Sequence, residues 1–315
     1  VGRRWVPAVV AGCVAVLGAG VLVVLPEPGG VVAGAAPAPA PVAVTGVAES
    51  VAGGKGRGNE GLLVRDGVRV RVSGQVIAAP GVAPVFCPAR PVPAIAPAKE
   101  AAPGCPAGLR VELKGVDVAK LTDLRAVDGV KFGQAGLVGV WRAGAIDVRE
   151  QTAPVPGPEV RFPALPCPAP KGGWTPKPSN LDSPAVAAFL DKHRDQVFGP
   201  VVHYPYGQAR SKPVVVMLGV AHGDRDAVRR QFEQVFSGNL CVAPAKLSEA
   251  DGVRLGQQVG DLMSRPELGI YGTGTAPDGS AANVQLLVYT KAVKEALTPI
   301  GLDVLRVEPA VRPVV

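Results

Sequence analysis

The stretch AHGDRDAV carries the residue types that come nearest to a chemical constellation: His222, then Asp224, then Asp226. An imidazole beside two carboxylates is a donor set for a general base or for an ion such as zinc or manganese. The stretch follows PVVVMLGV, which reads as a buried strand, and strand ends that turn into helices are common ligand sites. Each carboxylate also has a structural task. Asp224 stands where a helix N-cap stands, and Asp226 falls in the first turn, where its charge favours the positive end of the helix. No third group in sequence reach completes a nucleophile or a closed metal site. His222, Asp224 and Asp226 are therefore the candidate site, and binding rather than catalysis is the expected work of the region.

Other polar stretches offer less. His203 with Tyr204 and Tyr206 fits a strand with ordinary cross-strand pairing, and His193 lies at the core edge of a helix opened by Ser183-Pro184. GTGTAPDGSAAN has the glycines of a phosphate cradle, but it lacks the Gly-Lys-Ser/Thr ending and lies between two strand patterns, so a hairpin loop is expected. There is no G-x-S-x-G elbow, no H-E-x-x-H and no P-loop. No cofactor and no metal is expected.

Five cysteines are present. Cys13 follows Val-Ala-Gly, the small-residue pattern of a lipoprotein cleavage site. Cutting there leaves only Trp5 to Val10 as an apolar signal core, shorter than about seven residues. The apolar run instead continues to Leu25, and about 20 uncharged residues cross a ~30 Å hydrocarbon layer as a helix. Trp5–Leu25 is thus expected to be a transmembrane helix. Arg3 and Arg4 before it place the N-terminus in the cytoplasm and everything after Pro26 outside. Ala8, Gly12, Ala15 and Ala19 share one face and would permit self-association in the membrane. Outside the membrane, Cys87, Cys105, Cys167 and Cys241 read as two disulfides, Cys87–Cys105 and Cys167–Cys241.

The elements that must position these residues follow from patterning. The chain has 315 residues, with 40 Gly and 33 Pro gathered in connecting stretches. Residues 1–4 read as cytoplasmic, 5–25 as the membrane helix and 26–60 as a flexible Ala/Pro/Gly stalk. Residues 61–152 read as a small β barrel or sandwich, with an OB-like form possible, containing an Asp66-Gly67 hairpin and a short helical or turn segment at LTDLRAV. A Pro-rich linker covers 153–180. Residues 181–315 then repeat one order twice, strand, loop, strand, helix, strand, each half ending in Val-x-Pro, with the helix LSEADGVRLGQQVGDLMSR between the halves. The expected fold class is α+β and multidomain: membrane helix, small β domain, and a duplicated ββαβ two-layer domain.

Two resemblances accompany this reading. The heavy use of Ala, Val, Gly, Pro and Arg is similar to high-GC actinobacterial coding. The ββαβ order of the last 115 or so residues resembles small αβ units in the pro-regions of secreted bacterial chymotrypsin-like proteases, which would imply a folding-assistant or inhibitor-like module; G-D-S-G, the mark of the protease itself, is absent.

Net charge is +7, with basic residues dispersed, which suits solubility and a loose attraction to an anionic wall polymer. Aromatic residues make up 4% of the chain, too few for stacking platforms, so nucleic acid is excluded as a partner. The expected function is a membrane-anchored extracytoplasmic binding or scaffold protein of the cell envelope. It would contact the lipid bilayer through its N-terminal helix and an envelope protein or wall polymer beyond it. The alternative is an envelope hydrolase or metal-dependent enzyme centred on His222.

Overall fold

The computed structural model describes residues 58–88, 102–155 and 164–314. After a 3-10 turn at Gly58–Leu62 comes β1 (Arg69–Ala78), whose Val70, Val72 and Val76 point inward while Arg69 and Arg71 point out. This is the period-2 alternation of a half-buried strand. β2 (Val85–Cys87), β3 (Val111–Lys114), β4 (Thr122–Val127), β5 (Val130–Arg142) and β6 (Ala145–Thr152) follow. Pairing runs β1-β2-β3-β6-β5, and β5 returns to β1 from Arg69↔Val140 to Ala78↔Lys131, so five strands close into a ring. β4 lies outside the ring, against β5. Gly139 sits at a bulge in β5, where an added Cβ would overlap the Asp147 carbonyl of β6; its missing side chain lets the two strands approach.

Two local expectations change here. Asp66-Gly67 forms a turn, but among the described residues no strand precedes it; the Asp66 carboxylate accepts from the Ala143 N–H at 3.1 Å instead. LTDLRAV supplies strand β4, because its Thr122 and Arg125–Val127 find a partner in β5, a non-local pairing that local pattern does not show.

The rest of the chain comprises α1 (Pro184–Lys192), β7 (Val197–His203), β8 (Val215–Val220), α2 (Arg225–Phe232), β9 (Asn239–Pro244), α3 (Glu249–Met263), β10 (Ile270–Thr275), β11 (Ala282–Val288), α4 (Lys291–Leu297) and β12 (Leu305–Pro313). β7–β8 and β10–β11 are antiparallel; β8–β9 and β11–β12 are parallel. α1 and α2 pack on one face of the first trio through Val186, Phe189, Val228 and Phe232. α3 and α4 do the same for the second through Leu255, Val259, Val293 and Leu297. The helix read as lying between the halves is thus the opening element of the second, as α1 is of the first.

The expected fold class is overturned. The described chain is mostly β, 36% strand against 22% helix, and its strands make two sheets that cut across the expected order of a small β domain followed by a duplicated two-layer domain. The second unit joins the ring in one nine-stranded sheet, β10-β11-β12-β1-β2-β3-β6-β5-β4, while the first keeps its own sheet, β7-β8-β9. The junction is β12: it runs past its partner β11 and pairs Arg312 and Pro313 with Arg71 and Val70 of β1. Leu287, Val288 and Val311 then share a core with Val70, Val72 and Trp141. Strand patterning fixes which face is buried but leaves open which strand an edge will meet. The expected membrane helix Trp5–Leu25 lies outside the described residues; among the described residues no helix is long and apolar enough to cross a membrane.

Both disulfides are present, Cys87–Cys105 with Cα atoms 5.7 Å apart and Cys167–Cys241 with 5.6 Å. The second has a consequence for the fold. It fastens the segment 164–180, read as a plain linker, across the face of β7-β8-β9 opposite the helices, where Leu165, Cys167 and Trp174 pack on Val215, Met217, Cys241 and Ala243.

Candidate functional site

The sequence candidates are close in the chain but are not brought together as one site. Asp224 caps α2: its Oδ1 accepts from the N–H groups of Ala227 at 3.1 Å and Asp226 at 2.8 Å. Those bonds, with Ala227 foremost, hold its carboxyl below the usual range. Asp226 is exposed in the first turn, 3.9 Å from the Arg225 guanidinium. His222 points elsewhere, its Nε2 lying 2.8 Å from Oδ2 of Asp251 in the first turn of α3.

Asp251 is the residue that sequence reasoning missed. Ser248 and Asp251 form a capping box, each accepting from the other's backbone N–H, and the Ser248 hydroxyl also donates to Asp251 at 2.9 Å. Arg254 adds a bond at 2.9 Å to the other carboxylate oxygen. Burial pushes the Asp251 carboxyl up, but the donors Arg254, His222 and Ser248 outweigh it and hold the group well below the ordinary carboxylate range. Serine, histidine and aspartate do meet here, in the wrong order for nucleophilic catalysis: the hydroxyl gives its hydrogen to the carboxylate, and the imidazole binds that same carboxylate instead of the hydroxyl. The spacing Ser248-x-x-Asp251 is that of a capping box, a signal that could have marked the helix start but not the arrival of His222 from 29 residues away. Among the described residues no group of three His, Cys, Asp or Glu is placed to hold a metal ion.

The remaining polar candidates are structural. GTGTAPDGSAAN forms the β10–β11 hairpin, in which Gly279 has φ +65° and its carbonyl accepts from Lys246 and Leu247. His193 stacks on Phe189 with ring centroids 4.3 Å apart. His203 is buried on β7, where among the described residues no group bonds its Nε2, and burial lowers its pKa. Tyr206 receives the Trp174 N–H on its hydroxyl at 3.3 Å, bracing the segment that carries Trp174.

That segment makes one wall of a groove of about 580 Å³. Trp174, Lys177 and the exposed prolines Pro166, Pro168 and Pro170 stand on one side, and Arg225, Asp226, Arg229 and Glu233 of α2 on the other. The floor is the outer edge of β9. Ala245 N–H donates to Val220 O, so by strand alternation Ala243 and Cys241 turn their backbone groups toward β8, and Leu240, Val242 and Pro244 turn theirs into the groove. Arg229 reaches the Leu240 carbonyl at 3.4 Å while pairing with Glu233 at 3.1 Å. β9 is otherwise an edge strand, with β8 as its one strand partner among the described residues. Three separate parts of the chain build this groove, which is why no single motif announced it.

The sequence matches no known protein family, and no curated protein is similar to it.

Proposed function

We propose that this chain is a membrane-anchored extracytoplasmic binding or scaffold protein of the cell envelope, and that it holds an extended polypeptide segment of an envelope partner along β9. The observation that carries the reading is that β9, at the floor of a walled groove, has no second strand on the edge of Leu240 and Val242 among the described residues, its contacts there being the Arg229 guanidinium and the Cys167 sulfur. A sheet edge binds an extended peptide through main-chain hydrogen bonds, which supply affinity, while flanking pockets select side chains. Trp174 offers a rigid apolar surface for that selection, and the charged residues of α2 offer polar contacts. Two disulfides support an oxidising compartment, and Arg3 and Arg4 ahead of Trp5–Leu25 support a cytoplasmic N-terminus.

The test is a peptide-display selection on the full-length chain in nanodiscs. Selected peptides should lose at least about tenfold in affinity on Trp174→Ala, the size of loss expected of a central aromatic contact. Since Trp174 also packs on the sheet, the exposed Lys177→Glu serves as a second variant with the fold untouched. Binders indifferent to both substitutions would overturn the reading. Protease treatment of intact cells should destroy a C-terminal epitope, and full protection would overturn the extracytoplasmic placement.

A further inference from the structure

The two αββαβ units superimpose in sequence at their last strands: Leu240-Cys241-Val242-Ala243-Pro244 of β9 matches Leu305-Arg306-Val307-Glu308-Pro309 of β12, a shared L-x-V-x-P. The match holds in hydrogen bonding. The Val304 carbonyl accepts from Ala282 N–H on the β11 side, so Leu305 and Val307 face outward, as Leu240 and Val242 do.

In the second unit that outward edge is covered. The side chain of Asn59 donates to the Leu305 carbonyl at 2.9 Å and accepts from the Val307 N–H at 3.1 Å, standing in for a strand residue. Farther along, β1 pairs antiparallel with Arg312 and Pro313, and the Val314 N–H reaches the Arg69 carbonyl at 2.8 Å. In the first unit, among the described residues, no strand and no asparagine covers the same edge: Arg229 reaches the Leu240 carbonyl at 3.4 Å and the disulfide sulfur of Cys167 lies 3.7 Å from the Val242 carbonyl, while the edge lines the groove.

We infer that β9 receives an antiparallel strand from another polypeptide, in the manner in which β12 receives β1, and that this strand carries a cation toward its N-terminal end and a carboxylate toward its C-terminal end. This rests on the β9-edge reading above. α2 leaves the end of β8 and returns to the start of β9, so its first turn, with exposed Asp226, lies by Pro244. Lys177 lies at the opposite end: Asn239 donates to the Thr175 carbonyl at 2.9 Å, and Asn180 accepts from the Ser237 N–H at 2.7 Å, fixing 175–180 beside 237–239. Among the described residues Asp226 has only the Arg225 guanidinium, at 3.9 Å, Glu233 is paired with Arg229 at 3.1 Å, and Lys177 has no ion-pair partner. An antiparallel strand starts at Pro244 and finishes at Asn239, so its first residues meet Asp226 and its last meet Lys177. A parallel strand would meet these charges in reverse.

The experiment uses the full-length chain in nanodiscs and two hexapeptides of equal composition, acetyl-KVTVTE-amide and acetyl-EVTVTK-amide, each with a photo-crosslinker at one end. KVTVTE should protect the Val242 amide from exchange and bind about threefold to tenfold more tightly than EVTVTK, the range of two exposed ion pairs. Lys177→Glu should reduce or reverse that preference. Its N-terminal crosslinker should mark Pro244 and α2, and its C-terminal crosslinker residues 175–180. Protection of Val242 with the crosslinks exchanged, or with no preference between the peptides, would overturn the antiparallel charge assignment and leave the β9-edge reading standing. Failure of every peptide to protect Val242 would overturn both. Val242 already protected in a dimer detected by sedimentation would make the occupant a second copy of this chain, and the proposal would fall.

Discussion

The side chain of Asn59 is bonded to the backbone of Val307 across 248 residues of chain, its Oδ1 accepting the Val307 N–H at 3.1 Å. The same amide donates to the carbonyls of Leu305 at 2.9 Å and Leu302 at 3.2 Å. One residue at the start of the described chain therefore seals the edge of a strand at its end. Asn59→Ala leaves these groups without partners and should cost about 1–3 kcal/mol. Denaturant unfolding measures it; an unchanged midpoint would mean that water replaces the amide fully.

Asp251 gathers His222, Ser248 and Arg254. Its carboxyl titrates lower in the folded chain than in the unfolded one, so the folded state gains by keeping it ionised. That gain is complete above the ordinary carboxyl range near pH ~4 and is lost as pH falls below it. Urea titrations from pH 6 to pH 2 should therefore show a weaker acid dependence in Asp251→Asn. Asp251→Ala, which removes the capping box, should cost about 1–2 kcal/mol, whereas His222→Ala loses only an exposed pair worth about 0–1 kcal/mol.

His203 responds in a different window. Burial lowers its pKa in the folded state, so the unfolded chain takes up the proton first. Stability should be full above the ordinary imidazole value near ~6.5 and decline as pH falls below it. Replacing His203 with Leu should flatten that part of the profile in thermal melts between pH 5 and pH 8. A slope unchanged by the substitution would show that His203 does not set the dependence.

The two disulfides should differ in weight. Cys167–Cys241 closes a loop of 74 residues and Cys87–Cys105 one of 18. The chain-entropy relation gives about 4 kcal/mol for the longer and about 3 kcal/mol for the shorter. The double serine variant of Cys167 and Cys241 should be the less stable of the two pairs in guanidinium. It should also raise Trp174 exposure, because the bond holds that segment on the sheet.

Gly279 couples the second unit to the first. At φ +65° a side chain is already disfavoured, and an added Cβ would stand 2.8 Å from the Phe198 ring and 3.2 Å from the Ala245 Cβ. Gly279→Ala should cost about 1–3 kcal/mol through backbone strain and overpacking together. A thermal melt decides, and a neutral result would show that the hairpin can lift from Phe198.

Local features were legible in the chain because short-range physics sets them. Ser183-Pro184 opened α1 as cap and first-turn proline, and Asp224 capped α2. Val70, Val72 and Val76 buried the face that their alternation marks. Four cysteines beyond the first apolar run gave two bridges. The candidate site was legible only in part: Asp224 and Asp226 took the helix-start positions their spacing implied, but the partner of His222 lay on another helix.

The sequence by itself determined the repeated element order and the matching strands Leu240–Pro244 and Leu305–Pro309, because periodicity, caps and turns act within a few residues. Only the tertiary structure decided that β12 would cross to β1 and join two expected domains in one sheet, while β9 would have no second strand among the described residues and would line a groove with Trp174. The physical reason is that a strand edge is the same row of N–H and C=O groups whatever the side chains are. What meets that row depends on where the rest of the chain arrives: Asn59 and β1 arrive at β12, and a groove remains at β9.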